Sequence, residues 1–114
     1  MENVVKYYRI IIEDCLEENP DMRIVVLPVS PVRNKSTAKN YILKRYNKQL
    51  RLMAEELEVD YYDYTKELSA ADGQLKKEYA EPDGMHWKYE GCIKFRDLLY
   101  EYETEELKLK IKTD

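Results

Sequence analysis

Apolar residues recur along this chain with two different periods. Val4, Val5, Tyr8, Ile11, Ile12, Cys15 and Leu16 return at three- and four-residue steps, which predicts an amphipathic helix over Glu2 to Asn19. Asn19-Pro20-Asp21 ends it, because the residue before a proline avoids the helical region. Arg23 to Val29 is instead a continuous apolar, mostly β-branched run, as suits a parallel strand buried on both faces. Ser30 to Thr37 is then a polar loop at that strand's C-terminal end, the edge where open α/β sheets build their sites, and Ser36 or Thr37 can cap the next helix. Tyr41, Ile42, Tyr46, Leu50, Met53, Ala54 and Leu57 mark the buried side of a long helix over Ala38 to Glu58. Val59 to Tyr64 reads as a short aromatic strand, so strand, helix and strand predict a crossover between two parallel neighbours.

Beyond Thr65 the signal is mixed. A short helix over Lys66 to Ala70, an Asp72-Gly73 turn and a segment from Leu75 to Tyr79 approach a final helix over Lys88 to Glu103. Cys92, Ile93, Phe95, Leu98, Leu99 and Tyr102 are expected to face inward from that helix. In the tail, residues 105–114, the stretch Glu106 to Lys112 alternates apolar and charged residues like an edge strand or a frayed end.

A chain of 114 residues fills a single domain, and no repeat, linker or low-complexity segment divides it. Eleven tyrosines against one phenylalanine predict aromatic packing with hydroxyls reaching water or partners at the core edge. Tyr7, Tyr8, Tyr61, Tyr62 and Tyr64 are read as packing residues, and Trp87 as an anchor. A net charge of −4 with lysines mixed among acids excludes a nucleic-acid surface driven by phosphate neutralisation. No apolar run is long enough to span a bilayer, and no charged-then-apolar leader opens the chain. Cys15 and Cys92 are read as buried free thiols of a reducing compartment, with a disulfide as the alternative. No Cys/His cluster has zinc-ligand spacing, and Asp60 and Asp63 with His86 show no distinctive metal-ligand spacing. The expectation is a cytoplasmic protein without cofactor or metal.

The chemistry concentrates in Glu81-Pro82-Asp83-Gly84-Met85-His86-Trp87-Lys88, which holds the only histidine and the only tryptophan. Pro82 and Gly84 bracket Asp83 and make the segment a turn. Such a turn can fold the Asp83 carboxylate onto a ring nitrogen of His86, fixing its tautomer and stabilising its protonated form, as the acid of a nucleophile-base-acid triad does. An Asp-Gly-x-His turn entering a C-terminal helix resembles the Asp-x-x-His block of the SGNH (GDSL-type) ester hydrolases. The surrounding order is similar to the C-terminal half of that family from about residue 6 to residue 102. It comprises the helix ending at Asn19-Pro20, the strand Ile24 to Val29, Tyr46-Asn47-x-x-Leu50, the strand ending at Asp63, and a last helix containing Gly91.

The resemblance implies part of a doubly wound, flavodoxin-like parallel sheet with flanking helices, three-layer α/β/α in the intact family. It implies Asp83 as the orienting acid and His86 as the general base, acting on a small ester or acetylated substrate. The family's Gly-Asp-Ser, glycine and Gly-x-Asn-Asp blocks do not occur in this sequence. Ser30, Ser36 and Ser69 are its only serines, none preceded by Gly-Asp and none in a Gly-x-Ser-x-Gly elbow. The expectation is therefore half an active site, probed by asking whether a complementing N-terminal half or a second copy completes it. The competing reading is a non-catalytic α/β interaction module that finishes its sheet with another chain.

Overall fold

A computed structural model describes the backbone of residues 2–33 and 37–113, with side chains over 4–33 and 39–106. It is mixed α/β and mostly helical, built in the order α1 (Glu2–Glu18), β1 (Val25–Val26), α2 (Thr37–Glu56), β2 (Asp60–Tyr61), α3 (Thr65–Leu68), a 3-10 turn (Lys77–Tyr79) and α4 (Tyr89–Thr113). Among the described residues β1 and β2 form one two-stranded parallel sheet, with Val25 opposite Asp60 and Val26 opposite Tyr61, and α2 crosses between them. Side chains alternate across a strand, and the alternation here divides the interior. Val26 and Tyr61 join a cluster with Ile12 of α1 and Tyr46, Leu50, Met53 and Ala54 of α2. Leu27 and Tyr62 join a second cluster with Tyr64, Leu68, Leu75, Ala80 and Leu98, walled by Trp87 and Phe95.

The strands are much shorter than their apolar runs suggested. Only two residues of Arg23–Val29 pair, and Val29 is exposed rather than buried on both faces. Pro28 has no N–H to give a ladder, and beyond it the backbone is claimed by side chains. Asn47 accepts from Val29 N at 2.8 Å and donates to Val29 O at 2.9 Å. Asn40 does the same for Val32, at 2.7 and 2.8 Å. The buried Tyr64 hydroxyl donates to Pro28 O at 2.9 Å. Burial pushes that hydroxyl up to about 12, so it keeps its proton and remains a donor. Two carboxamides from one helix face and a phenol thus replace a neighbouring strand.

Helix faces also differ from expectation. In α1 only Ile12 is buried, with Val5 and Leu16 packed beside it, whereas Val4, Tyr7, Tyr8 and Ile11 are exposed because α2 covers one side of the apolar stripe. Tyr7 and Tyr8 therefore lie outside the buried core. Tyr41 and Ile42 are likewise exposed at the start of α2, which begins beyond the reach of the cluster around Leu50. The cap expected of Ser36 or Thr37 lies outside the described side chains. Helix α2 ends with Glu58 at φ 56 and Val59 N donating to Ala54 O at 3.0 Å, a left-handed cap formed without glycine.

Helix α4 continues through the tail that its alternation marked as a strand. Leucine, lysine and glutamate are strong helix formers. Arg23 binds Glu106 at 2.8 Å, and Tyr102 stacks on Tyr62 with ring centroids 4.4 Å apart. The inward stripe of α4 starts at Gly91, where a Cβ would stand 3.1 Å from Tyr79 and 3.3 Å from Trp87, and runs through Phe95 and Leu98 to Tyr102. Cys92, one residue round the helix, is consequently exposed and not buried as its apolar neighbours implied. Cys15 is half-buried, and both thiols are free.

The asparagine clasps carry a prediction. Asn40→Ala leaves the backbone donor of buried Val32 without its partner, and its carbonyl with only the longer bond from Leu75 N, and should destabilise the fold by about 2 kcal/mol, whereas Asn47→Ala, at exposed Val29 where water replaces the amide, should cost about half as much. Urea midpoints of the two variants give the comparison.

Candidate active site

Residues 79 to 88 close on themselves before α4 begins. Ala80 and Trp87 form an antiparallel bridge, Lys88 N donates to Tyr79 O at 2.7 Å, Glu81 N to His86 O at 2.9 Å and Gly84 N to Glu81 O at 2.8 Å. At the tip Asp83 folds back as a turn aspartate does, its Oδ1 accepting from Met85 N at 2.8 Å and His86 N at 3.0 Å. Its Oδ2 meets His86 Nδ1 at 2.5 Å. One carboxylate therefore holds both the backbone and the ring of the histidine, bringing together the two residues that the sequence singled out.

Gly84 docks this tip on the rest of the molecule. It sits at φ +73, and its carbonyl accepts from Arg33 N at 2.7 Å. A Cβ there would fall 2.1 Å from Arg33 O, so any side chain collides with the backbone of the β1–α2 loop. Trp87 supplies the second attachment, donating from Nε1 to Ser30 Oγ at 2.9 Å while its ring lies 5.2 Å from Phe95 and 6.0 Å from Tyr64 between centroids. Trp87 is thus the anchor its sequence context suggested.

The pair stands in water. The His86 side chain is 79 % exposed and that of Asp83 48 %. Bonds from the His86 backbone, the His86 ring and the Met85 backbone hold the Asp83 carboxyl well below its ordinary value, at about 2. The bond to Asp83, followed by its charge, raises His86 above its ordinary 6.5. An Asp83 ionised at neutral pH is an acceptor only, so neutral His86 must carry its proton on Nδ1. That leaves Nε2 as the basic atom, and no described group bonds it.

Neither described serine reaches this nitrogen. Ser30 Oγ receives Trp87 and donates to Pro31 O at 3.0 Å, and Ser69 Oγ donates to Thr65 O at 2.7 Å. Ser36 lies outside the described residues. Asp60 pairs with Arg23 at 3.0 Å and Asp63 accepts from Thr65 N and Oγ1, so neither approaches His86 among the described contacts. Sequence reasoning missed Gly84 as a docking residue and the two clasping asparagines. Asn40 and Asn47 did leave a signal, since two weak helix formers two turns apart opposite a proline-flanked strand exit need a reason to be there. A separate open groove, lined by Pro28, Val29, Lys48, Arg51, Tyr61 and Asp63 among others, lies at the C-terminal ends of both strands; neither Asp83 nor His86 lines it.

No protein-family model matches the chain, and no curated protein does. Among solved structures it is similar to one described as "a putative platelet activating factor from Streptococcus pneumonia", at 23 % identity and a TM-score of 0.78. The likeness is one of fold. It covers 89 % of this chain and 50 % of that one, so this chain spans half the length of the structure it matches. Among the described residues no helix is long and apolar enough to cross a membrane.

Two predictions arise from the turn. Gly84→Ala combines positive φ with a backbone collision and should destabilise the fold by more than about 2 kcal/mol. Gly73→Ala, at φ +86 but with open space around it, should cost about 1 kcal/mol, as chemical denaturation will show.

The second concerns pH. The raised His86 value makes the pair's contribution complete below 6.5 and removes it as pH rises through the folded value. The lowered Asp83 value makes the contribution present above 3.8 and removes it as pH falls through about 2. The pair therefore supports folding most between 3.8 and 6.5. In Asp83→Asn the His86 midpoint, followed by NMR, should drop towards 6.5 and both slopes of stability against pH should flatten. Equal midpoints in the two proteins would exclude the contact in solution.

Proposed function

We propose that this chain carries the acid-base half of an SGNH-type ester hydrolase, with His86 as general base and Asp83 as the residue that orients it. The observation that carries the reading is the 2.5 Å contact of Asp83 Oδ2 with His86 Nδ1 at an exposed turn, which leaves Nε2 facing solvent where a hydroxyl can be delivered. In the intact reaction a serine attacks an ester or acetyl carbonyl as Nε2 takes its proton. The imidazolium, stabilised by Asp83, then protonates the leaving alcohol. Nucleophile and base act as one unit, and loss of either removes on the order of 10⁶ in turnover. His86 and Asp83 by themselves are therefore expected to hydrolyse esters no faster than a free imidazole.

The same reading makes the two-stranded sheet part of a larger doubly wound, three-layer α/β/α sheet. Its supports are the division of alternate strand residues between two apolar clusters and the likeness to half of a longer chain. It also gives a role to two uncovered surfaces, the free edge of β1 and the exposed Val4, Tyr7, Tyr8 and Ile11 of α1. A parallel strand added beside β1 would satisfy the first, and a further packed layer would cover the second. Those surfaces equally favour a second reading, a non-catalytic module that completes its sheet with another chain or another copy.

Complementation separates the two. An N-terminal half bearing Gly-Asp-Ser and Gly-x-Asn-Asp blocks, taken from a related hydrolase and co-expressed with this chain, should bind it and yield esterase activity together. His86→Ala should abolish the activity by about 10⁶ while leaving the binding intact. Binding without activity in the unmodified pair favours the module; neither binding nor activity sinks the hydrolase reading.

A further inference from the structure

Four cations of α2, Lys44, Arg45, Lys48 and Arg51, line one wall of the groove at the C-terminal ends of β1 and β2. The ion pairs among the described residues engage Arg9, Arg23, His86 and Arg96, so these four, like the described lysines elsewhere, have no carboxylate partner; what distinguishes them is their gathering on one groove. Acids that share the groove are occupied by their own turns: Asp63 Oδ1 accepts from Thr65 N and Oγ1, and Asp72 from the backbone and side-chain amides of Gln74. Lys44 and Lys48 are one helical turn apart with Arg51 three residues further, so the row repels itself unless an anion lies across it. The remaining lining is mixed, with Pro28, Val29, Tyr41 and Tyr61 beside the polar Asn47, Thr65 and Ser69. Burial and then the Asp63 charge push the Tyr61 hydroxyl up to about 12, with Arg51 acting against them, so the phenol on the groove floor stays neutral.

We propose that this groove binds a small organic phosphate, its phosphate on the cationic wall and its ring or apolar body against Tyr61, Tyr41 and the proline. A phosphomonoester brings close to two charges and three acceptor oxygens, matching several cations at once, and arginine forks grip such oxygens in pairs. The groove volume of about 760 Å³ accommodates one compact ligand of this kind. The site does not include Asp83 or His86 and is independent of the hydrolase reading.

The test titrates the isotope-labelled full chain with phenyl phosphate, and with phenol as its neutral twin, by NMR at about 50 mM and about 300 mM salt. Saturable shifts are expected at Lys48, Arg51, Tyr61 and Asp63 with phenyl phosphate and not with phenol, weakening several-fold at the higher salt. Lys48→Glu/Arg51→Glu should reduce affinity by about tenfold or more, and Arg96→Glu, on exposed α4, should leave it unchanged. Lys48→Gln/Arg51→Gln, which adds no repulsion of its own, should show a smaller loss and guards against a folding defect. Equal binding of phenol, indifference to both groove variants, shifts confined to other regions, or no saturation by about 10 mM would each overturn the proposal. So would a glutamate-rich peptide binding where phenyl phosphate does not, since the groove would then be a protein-docking surface.

Discussion

Residues 28 to 33 leave the sheet as an extended strip whose backbone groups are held by side chains and loops from four other parts of the chain. Asn47 and Asn40 take Val29 and Val32, the Tyr64 hydroxyl takes Pro28, Leu75 N donates to Val32 O at 3.3 Å, and Gly84 O receives Arg33 N. Arg33 adds a side-chain bond to Leu75 O at 3.2 Å. Backbone polar groups removed from water must be paired, and an unpaired one costs much of what a hydrogen bond gains. The strip therefore acts as a common receptor, with helix α2, the loop around Leu75 and the Asp83 turn each positioned by what they supply to it.

That arrangement explains why a strongly exposed histidine is nonetheless well oriented. The ring is not wedged by packing; its place is fixed by one carboxylate that binds its backbone and its Nδ1, on a turn that Gly84 and Trp87 fasten to the strip. Exposure keeps the electrostatics modest, because water screens the pair. What the geometry does provide is a defined tautomer and a solvent-facing Nε2, the two properties a general base needs before any substrate arrives.

Coverage is uneven across the molecule. Around Met53, Leu68 and Leu75 side chains are fully enclosed, whereas one side of α1 and the outer edge of β1 have no described cover. On the groove side of α2 the imbalance is one of charge, four cations outside the ion pairs against the two carboxylates of Asp63 and Asp72. Apolar surface, a free ladder edge and unpaired like charges are each tolerable singly in water. Their concentration on particular faces gives the chain directions in which it can make further contacts.

Local sequence set the elements up to the final helix and their order, because helical periodicity in Glu2–Glu18 and around Leu50, and the β-branched run at Val25–Val26, are local properties of the chain. It also determined the Asp83–His86 contact, since a turn bracketed by Pro82 and Gly84 leaves a carboxylate three residues from a ring few other places to go. Element lengths and faces were decided elsewhere. The strands stop at two residues because asparagines distant in sequence take the next backbone groups, and α4 runs through Glu106 because Arg23 and Tyr62 hold a segment whose alternation alone pointed to a strand. Cys92 faces out because Gly91 is the residue with room against Tyr79 and Trp87. These outcomes depend on which surfaces meet across tens of residues, and a one-residue rotation of a helix or the loss of one ladder bond leaves no mark in local periodicity.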